Sequence, residues 1–348
     1  MKNESRTVFD RYTAQISALN GVSDVCKKFS VAPSVQQTLE AKIQESSAFL
    51  QLINIVGVDD MEGEKIGLGV GSTIAGRTDT NVKDRETSDP SGMDSQTYKC
   101  YQTNFDTHIS YAKIDMWAKF KNFQELIRNQ IVRQQALDRI MIGFNGKSAA
   151  ATTNRAANPL LQDVNIGWLE QIRTNAPARV MKEVVEGSGK IQVGNSVAAA
   201  VGYKNLDALV YDACDLIDPV FVENPDLVCV VGRQLLSDKY FPLLNKEQDN
   251  SEMMAADMII SQKRIGGLQA IRAPFVPANT ILITTLDNLS IYYQNGGRRR
   301  HIEENPKRNR IENYESSNEA YVIENYGACC LIENIELVDG GLVDEVEA

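Results

Sequence analysis

The stretch FQELIRNQIVRQQALDRIMIG, residues 123–143, decides the fold of this chain. Its apolar side chains recur every three or four residues and form one helical face: Phe123, Leu126, Ile127, Ile131, Leu137, Ile140 and Met141. Asn122 and Glu125 have the spacing of a capping box, and Gly143 is predicted to end the helix. About twenty residues of α-helix rise about 30 Å, the width of a small domain. The sequence therefore predicts a central spine helix that serves as core scaffold without any ligand.

The segment before this helix has the sequence pattern of a long β-hairpin. KIGLGVGSTIAG (65–76) and YKCYQTNFDTHISYAKI (98–114) are β-prone, and they flank the almost wholly polar RTDTNVKDRETSDPSGMDSQ (77–96). Polar insertions of this length inside a compact domain are usually functional or disordered. Residues 61–111 are therefore predicted to project from the body towards a partner outside this chain.

The N-terminal region predicts two helices, and residues 1–29 differ in charge from the body. The first has a stripe that ends at Asn20-Gly21, and the second follows Pro33 with Val35, Leu39, Ile43 and Leu50 on one face, before a short strand LINIV (52–56). The stripe of the first helix consists of Val8, Phe9, Tyr12, Ile16 and Leu19. Residues 1–29 hold five basic and three acidic side chains, so they carry +2 on a chain of net charge -10. The remaining residues therefore carry -12.

The region after the spine helix predicts an α/β segment of about one hundred residues, the size of a second domain. WLEQIRTNAPARVMKEVVE (168–186) favours helix on both sides of Pro177, and helices are also predicted at 206–217, 233–240 and 253–260. The apolar run LVCVV (227–231) is typical of a strand buried on both faces, and TILITT (280–285) predicts another strand. The last segment is β-rich, with LSIYYQ, RRRHIEEN and EAYVIENYGACCLIENIEL, and it ends in an acidic tail from residue 339. The fold class predicted is α+β.

Composition narrows the class of protein further. The chain has 348 residues, 43% of them hydrophobic, which suffices for a large core and excludes a disordered or collagen-like chain. A net charge of -10 disfavours non-specific binding to nucleic acid. The six cysteines form no framework, and neither a secretion signal nor a membrane span is evident. These features predict reduced thiols in a cytoplasmic protein without membrane contact.

The sequence contains few motifs typical of catalysis or of nucleotide binding. GFNGKS (143–148) lacks the glycine spacing of a phosphate loop, and His108 and His301 have no motif joining them to a nucleophile. A basic cluster near the C-terminus predicts a subunit contact or a solvated face rather than a nucleic-acid patch: Arg298, Arg299, Arg300, Lys307, Arg308 and Arg310. We predict no catalytic residue, no cofactor and no metal site, hence no enzyme.

The order of elements, an N-terminal arm, long hairpin, spine helix, α/β domain and returning strands, resembles the tailed-phage major capsid fold of the Hong Kong 97 type. The amino-acid sequence itself is similar to those of the major capsid proteins of the peduovirus group, temperate myophages of enterobacteria. The strings that carry this resemblance include QESSAFLQLINIV from Gln44, GEKIGLGV from Gly63, NPLLQDVNIGWLEQIR from Asn158, APARVM from Ala176, YFPLLNKEQDNSEMMAADMIISQKRIGGL from Tyr240 and NLSIYYQNGGRRRHIEENPK from Asn288. It runs from about residue 4 to about 337.

The resemblance implies a division of the chain and a set of partners. The parts are a removable N-terminal segment (1–29), an N-arm (30–58), an extension loop (59–112), a peripheral domain (113–202 and 298–338), an axial α/β domain (203–297) and the acidic tail (339–348). It implies hexameric and pentameric capsomers in an icosahedral virion capsid, assembled in the host cytoplasm. It also implies an internal scaffold, a prohead protease, a portal protein and double-stranded DNA packaged without specific binding.

Members of this group are cut near the N-terminus by the prohead protease, and the matching position is Phe29 followed by Ser30. Two other classes of protein remain open from the residues alone. One is a cargo-enclosing bacterial nanocompartment of the same fold, which would keep its N-terminal segment. The other is a soluble α/β enzyme built on residues 200–290.

Overall fold

A computed structural model describes residues 1–70, 75, 77–80, 82–85, 87, 91–117, 123–244 and 263–338. The α-helices of this part of the chain are α1 (Asn3–Asn20), α2 (Pro33–Glu45), α3 (Tyr111–Trp117), α4 (Phe123–Asn145), α5 (Trp168–Asn175), α6 (Leu206–Ala213), α7 (Pro219–Val222) and α8 (Arg233–Leu244). The strands before α6 are β1 (Phe29–Ser30), β2 (Asn54–Val58), β3 (Glu62–Val70), β4 (Ser91–Lys99), β5 (Tyr101–Asn104), β6 (Thr107–Ser110), β7 (Val180–Met181), β8 (Ile191–Val193) and β9 (Gly202–Tyr203). The later strands are β10 (Val228–Val231), β11 (Arg264–Ile265), β12 (Leu268–Arg272), β13 (Ile281–Thr284), β14 (Leu289–Gln294), β15 (Arg299–Asn305), β16 (Arg310–Ile323), β17 (Cys329–Ile332) and β18 (Ile335–Leu337).

The spine helix is confirmed as α4, but it does not end at Gly143. It continues to Asn145, because Gly143 is a helical residue on which the Trp168 ring lies. A Cβ atom at position 143 would stand 2.2 Å from Cζ3 of Trp168, too close for any side chain. The glycine therefore permits a close approach rather than a helix stop. Asn122, predicted to cap the helix, lies outside the described residues.

The spine helix packs beside a seven-stranded sheet. Strand order is β1-β15-β16-β14-β2, with β5 and β6 also pairing to the long strand β16. Neighbours are antiparallel except β14 and β2, which run parallel. The core between α4, α5 and this sheet includes Ala136, Ile140, Trp168, Leu289 and Tyr321, all essentially buried.

A six-stranded sheet forms the centre of the α/β part, in the order β11-β12-β10-β13-β17-β7. All four residues of β10 are buried, which confirms the prediction drawn from LVCVV. Helices α6 and α8 contribute to its core through Leu206, Leu209, Val210, Leu235 and Leu236. A small sheet of β18, β8 and β9 adjoins it.

A hairpin is present as the antiparallel ribbon of β3 and β4, but the position predicted for its second strand is wrong. Residues 91–96, predicted as part of the polar tip, form most of β4, whereas residues 101–110 of the predicted second arm form β5 and β6 and pair with β16. The register runs from Glu62 opposite Lys99 to Val70 opposite Ser91, over nine residues on each side. Within the described residues these two strands pair only with each other. Of the predicted polar tip, residues 81, 86 and 88–90 lie outside the described residues.

Other helix predictions had mixed outcomes. Helices at the N-terminus, after Pro33, at 206–213 and from Arg233 are confirmed, although Leu19 is 59% exposed and Leu50 lies in a separate 3-10 turn. The helix predicted after Pro177 is wrong, because Val180 and Met181 pair in parallel with Leu331 and Ile332. The helix predicted at 253–260 and the acidic tail lie outside the described residues.

Within the described ranges, no helix combines the length and apolarity needed to cross a membrane. All six cysteines are free thiols.

Candidate assembly and processing sites

A buried ion network joins the N-arm helix, the spine helix and the seven-stranded sheet. Arg139 of α4 donates from Nη1 to Oε2 of Glu40 at 2.6 Å and from Nη2 to Oε1 of Glu319 at 2.7 Å. Arg298 donates from Nη1 to the other oxygen of Glu40 at 2.8 Å and from Nε to Glu315 at 2.7 Å. Arg139, Arg298 and Glu319 have no exposed side-chain surface. The network therefore fixes three separate parts of the chain together.

The charges in this network shift one another's titration. Burial by itself would raise the pKa of Glu40, but the guanidinium groups of Arg139 and Arg298 lower it overall. Glu315 is likewise lowered in pKa despite burial, through Arg298 and Arg300. Burial opposes the charged form of Arg139, yet its carboxylate partners raise its pKa well above the ordinary value. All these groups are therefore held ionised in the interior.

This network corrects the prediction for the basic cluster. Arg298 is completely buried, and Arg300 donates from Nη2 to the hydroxyl of Tyr12 at 2.9 Å and from Nε to Asn313 at 2.7 Å. Arg298 therefore cannot belong to a solvated face or subunit contact of the described chain, whereas Arg300 is half-buried and bonded within its own chain. Arg299 and Lys307 are exposed, as predicted. The sequence alone could not locate the carboxylates that draw the arginines inwards, since Glu40 lies far from them along the chain.

A second cluster fixes the root of the hairpin to the sheet. Nζ of Lys65 lies 2.8 Å from Oε2 of Glu324, and the hydroxyl of Tyr292 donates to Oε1 of the same carboxylate at 2.9 Å. The rings of Tyr98 and Tyr292 meet edge to face, with centroids 5.2 Å apart. Burial tends to raise the pKa of Glu324, but Lys65 and its other hydrogen-bond donors lower it. Nζ of Lys65 also donates to the carbonyls of Ile323 and Glu324, so the root of the extension loop is held by an ion pair, by hydrogen bonds to the backbone of the sheet and by an aromatic pair.

The N-terminal segment lies on the opposite edge of the sheet. Phe29 and Ser30 form the edge strand β1, paired with Arg300 and Arg299 of β15. Phe29 is 8% exposed, whereas Ser30 is exposed. The predicted processing residues are therefore adjacent in an ordered strand rather than in a loop.

Two large apolar side chains stand in solvent on the α/β part. Tyr211 of α6 is 75% exposed and Val220 of α7 is 78% exposed. Large apolar side chains at such exposure are common singly, so these two by themselves identify no partner.

The histidines form no catalytic arrangement within the described residues. His108 is exposed on β6, and His301 stacks on Tyr314 with ring centroids 5.9 Å apart. Nε2 of His301 lies 3.5 Å from a carboxylate oxygen of Glu303. The described residues contain no cluster of three or more side chains suited to a metal ion.

Taken together, the N-arm helix, projecting hairpin, spine helix and central α/β sheet define a capsid subunit of the Hong Kong 97 type. The family model of the phage major capsid proteins of the P2 family matches residues 8–335. The chain is 54% identical to a capsid protein of Escherichia phage P2 over 97% of this chain and 96% of that protein. It is 44% identical to the major capsid protein of Serratia phage KSP20, over 96% and 97% of the two chains.

A solved structure agrees with this similarity. A chain in the procapsid of satellite phage P4, determined with its size determination (Sid) protein, is 50% identical and superposes with a TM-score of 0.80, covering 98% of this chain and all of that one. The chain therefore belongs to the P2 family of phage major capsid proteins. It is a structural protein of the phage capsid shell, and the family match favours this class over a cargo compartment or a soluble enzyme.

Proposed function

We propose that this capsid protein assembles into hexameric and pentameric capsomers that close an icosahedral shell around double-stranded DNA. The observation that carries the proposal is the β3–β4 ribbon, whose root is held to the sheet of its own subunit. Its strands have no other strand neighbour among the described residues, so the ribbon is available to an adjacent subunit. The buried ion network supports the proposal because it gives each subunit a rigid body to which the ribbon attaches.

The division of the chain given under Sequence analysis is part of this proposal. Two strands exchange between the proposed domains: β14, from the axial range, pairs with β16, and β17, from the peripheral range, pairs with β13. Such exchange couples the two domains mechanically, because neither sheet is complete without a strand from the other range. Tyr211 and Val220 would then lie at contacts between axial domains within a capsomer.

We further propose that a prohead protease removes residues 1–29 by cutting between Phe29 and Ser30. The removed segment carries +2, so the shell that remains carries -12 per subunit. A more negative shell repels phosphate backbones, and packaged DNA would slide along it without specific binding. The basic residues of the segment 1–29 would first hold the subunit to an internal scaffold during assembly in the host cytoplasm. A portal protein would occupy the vertex for DNA entry, and the subunit itself would carry no catalytic activity or cofactor.

Electron microscopy tests the assembly. The full-length chain is co-expressed with the scaffold and protease genes of its own phage, and particles are purified by sedimentation. We expect closed icosahedral shells, and small oligomers only would overturn the proposal. A matched variant with Lys65→Met should still fold but give fewer closed shells, because it loosens the root of the ribbon.

Intact-mass measurement of the same particles tests processing. We expect a chain that begins at Ser30. Full-length chains in mature, DNA-filled particles would contradict the processing step while leaving shell formation intact.

A further inference from the structure

The Phe29–Ser30 bond, whose cleavage is the processing step proposed above and on which this inference rests, lies in folded structure before it is cut. Backbone hydrogen bonds flank this bond on both sides. Val31 N–H donates to the carbonyl of Arg298 at 2.9 Å, and Ile302 N–H donates to the carbonyl of Val25 at 3.1 Å. The Ser30 hydroxyl donates to the carbonyl of Gly296 at 2.8 Å. The bond is thus integrated into the edge of the sheet rather than presented on a flexible tail.

The side chains around the bond are buried as well. Phe29 and Val31 are 8% and 5% exposed, and they belong to a small hydrophobic core. The removable segment supplies nearly half of its buried members, and the body supplies the rest: Ile16, Val25 and Phe29 against Val31, Ile114, Ile302 and Ile311. Because both parts contribute to one core, the segment is packed as part of the folded subunit.

Polar contacts hold the first helix down at three further points. Nη2 of Arg6 lies 2.9 Å from Oε1 of Glu304, and the Tyr12 hydroxyl accepts from Arg300 at 2.9 Å. The backbone N–H of Lys2 donates to Asp115 at 2.8 Å. Detaching the strand around Phe29 therefore involves a helix that is anchored along its length.

A protease must bind several residues on both sides of the scissile bond in extended form and must reach the side chain before it. The outer backbone edge of β1 pairs with no further strand among the described residues, since β1 is the last strand of the sheet there. The Phe29 side chain, however, is 8% exposed in the core that includes Ile302 and Ile311, and it cannot enter a protease pocket while it is packed there. Cleavage of such a site occurs from a locally opened state, at a rate set by the population of that state.

We propose that the folded subunit itself protects the Phe29–Ser30 bond, and that residues 1–31 must peel away from β15 before the bond can be cut. The fold thereby controls when processing takes place. Any event that lifts the segment, such as rearrangement of the subunit within a shell, makes the bond a substrate.

Limited proteolysis of the full-length chain with chymotrypsin tests this, because chymotrypsin has a hydrophobic pocket that accepts an aromatic side chain such as Phe29. A synthetic peptide of residues 22–37 serves as the open reference, since Phe29 is its only aromatic residue. The new amino terminus at Ser30 is quantified by terminal labelling and mass spectrometry. We expect the folded chain to be cut at least about 100-fold more slowly than the peptide.

Two matched variants of α1 distinguish local detachment of the N-terminal segment from a general loss of stability. Ile16→Ser removes a side chain that is 6% exposed and should speed the cut about tenfold, while Leu19→Ser, at 59% exposure, should leave the rate within about twofold. The double variant Arg6→Gln and Tyr12→Phe keeps the core and should speed the cut about threefold, which tests the idea even if Ile16→Ser does not fold.

The proposal is overturned if the folded chain is cut as fast as the peptide, or if the variants on the buried and exposed faces of α1 give the same rate. These outcomes are distinct from failure of the processing step. Full-length chains in mature particles would refute processing, yet the chymotrypsin rates would still report whether the bond is protected.

Discussion

Arg139 of the spine helix and Glu319 of β16 face each other in the protein interior, with Nη2 and Oε1 2.7 Å apart and neither side chain exposed. Glu40 of the N-arm helix binds the same guanidinium at 2.6 Å. An ion pair removed from water stabilises a fold only if each charge keeps its partners. The arrangement therefore ties three distant segments together at a point where the loss of any partner is costly.

Arg139→Ala should be severely destabilising. It removes the guanidinium that pairs with the buried carboxylates of Glu40 and Glu319. Breaking a buried ion pair in this way lowers the free energy of unfolding by about 3–5 kcal/mol. The free energy of unfolding is measured with guanidinium chloride at neutral pH. Arg133→Ala, on an exposed turn of the same helix, is the matched control and should cost less than about 0.5 kcal/mol. Equal losses in the two variants would show that the network contributes nothing specific.

Acid should weaken the subunit through the same network. The pKa values of Glu40 and Glu315 are lowered in the folded chain, so their stabilisation is present above the unfolded value and disappears as pH falls through the folded one. The free energy of unfolding should therefore decline below about pH 4.3, the ordinary pKa of glutamate. The free energy of unfolding is measured from about pH 3 to about pH 7, a range that brackets the ordinary pKa of glutamate. Its dependence on pH should be flatter in Glu40→Gln. Glu45→Gln, exposed on the same helix, should retain the slope of the unchanged protein.

Lys65→Met should loosen the extension loop at its root. It retains the length of the side chain but removes the charge that pairs with Glu324, and a partly buried pair of this kind contributes about 1 kcal/mol. Amide hydrogen exchange along β3 and β4 should become roughly fivefold faster. Lys99→Met removes the solvent-exposed pair with Glu62 in the same ribbon and should change exchange much less. A larger effect from Lys99 than from Lys65 would argue against an anchored root.

Gly143→Ala should destabilise the junction of α4 and α5. The added methyl group would overlap the Trp168 ring, and overpacking of this kind costs about 1–3 kcal/mol. Thermal unfolding measures the loss. Combining the change with Trp168→Leu should recover part of it, because the smaller side chain removes the overlap, whereas purely additive losses would contradict this reading.

Much of the local structure was predictable from short-range pattern. The spacing of apolar residues located α1, α2 and α4, and the β-prone segment from Lys65 located the first strand of the ribbon. The second strand, β4, forms mostly within residues predicted to be a polar tip. The unbroken apolar run at 227–231 identified a strand buried on both faces. The helix predicted beyond Pro177 failed because Val180 and Met181 are recruited by β17, which is about 150 residues away along the chain.

The sequence by itself determined the family, the succession of elements and the sign of the charge on the N-terminal segment, because these depend on residue identity and near-neighbour periodicity. Only the tertiary structure decided that Arg298 lies inside, that Gly143 makes room for Trp168, and that Phe29 is packed in a strand. Each of these depends on a partner brought near by folding, and the position of such a partner follows from the packing of the whole chain rather than from any pattern within the segment itself.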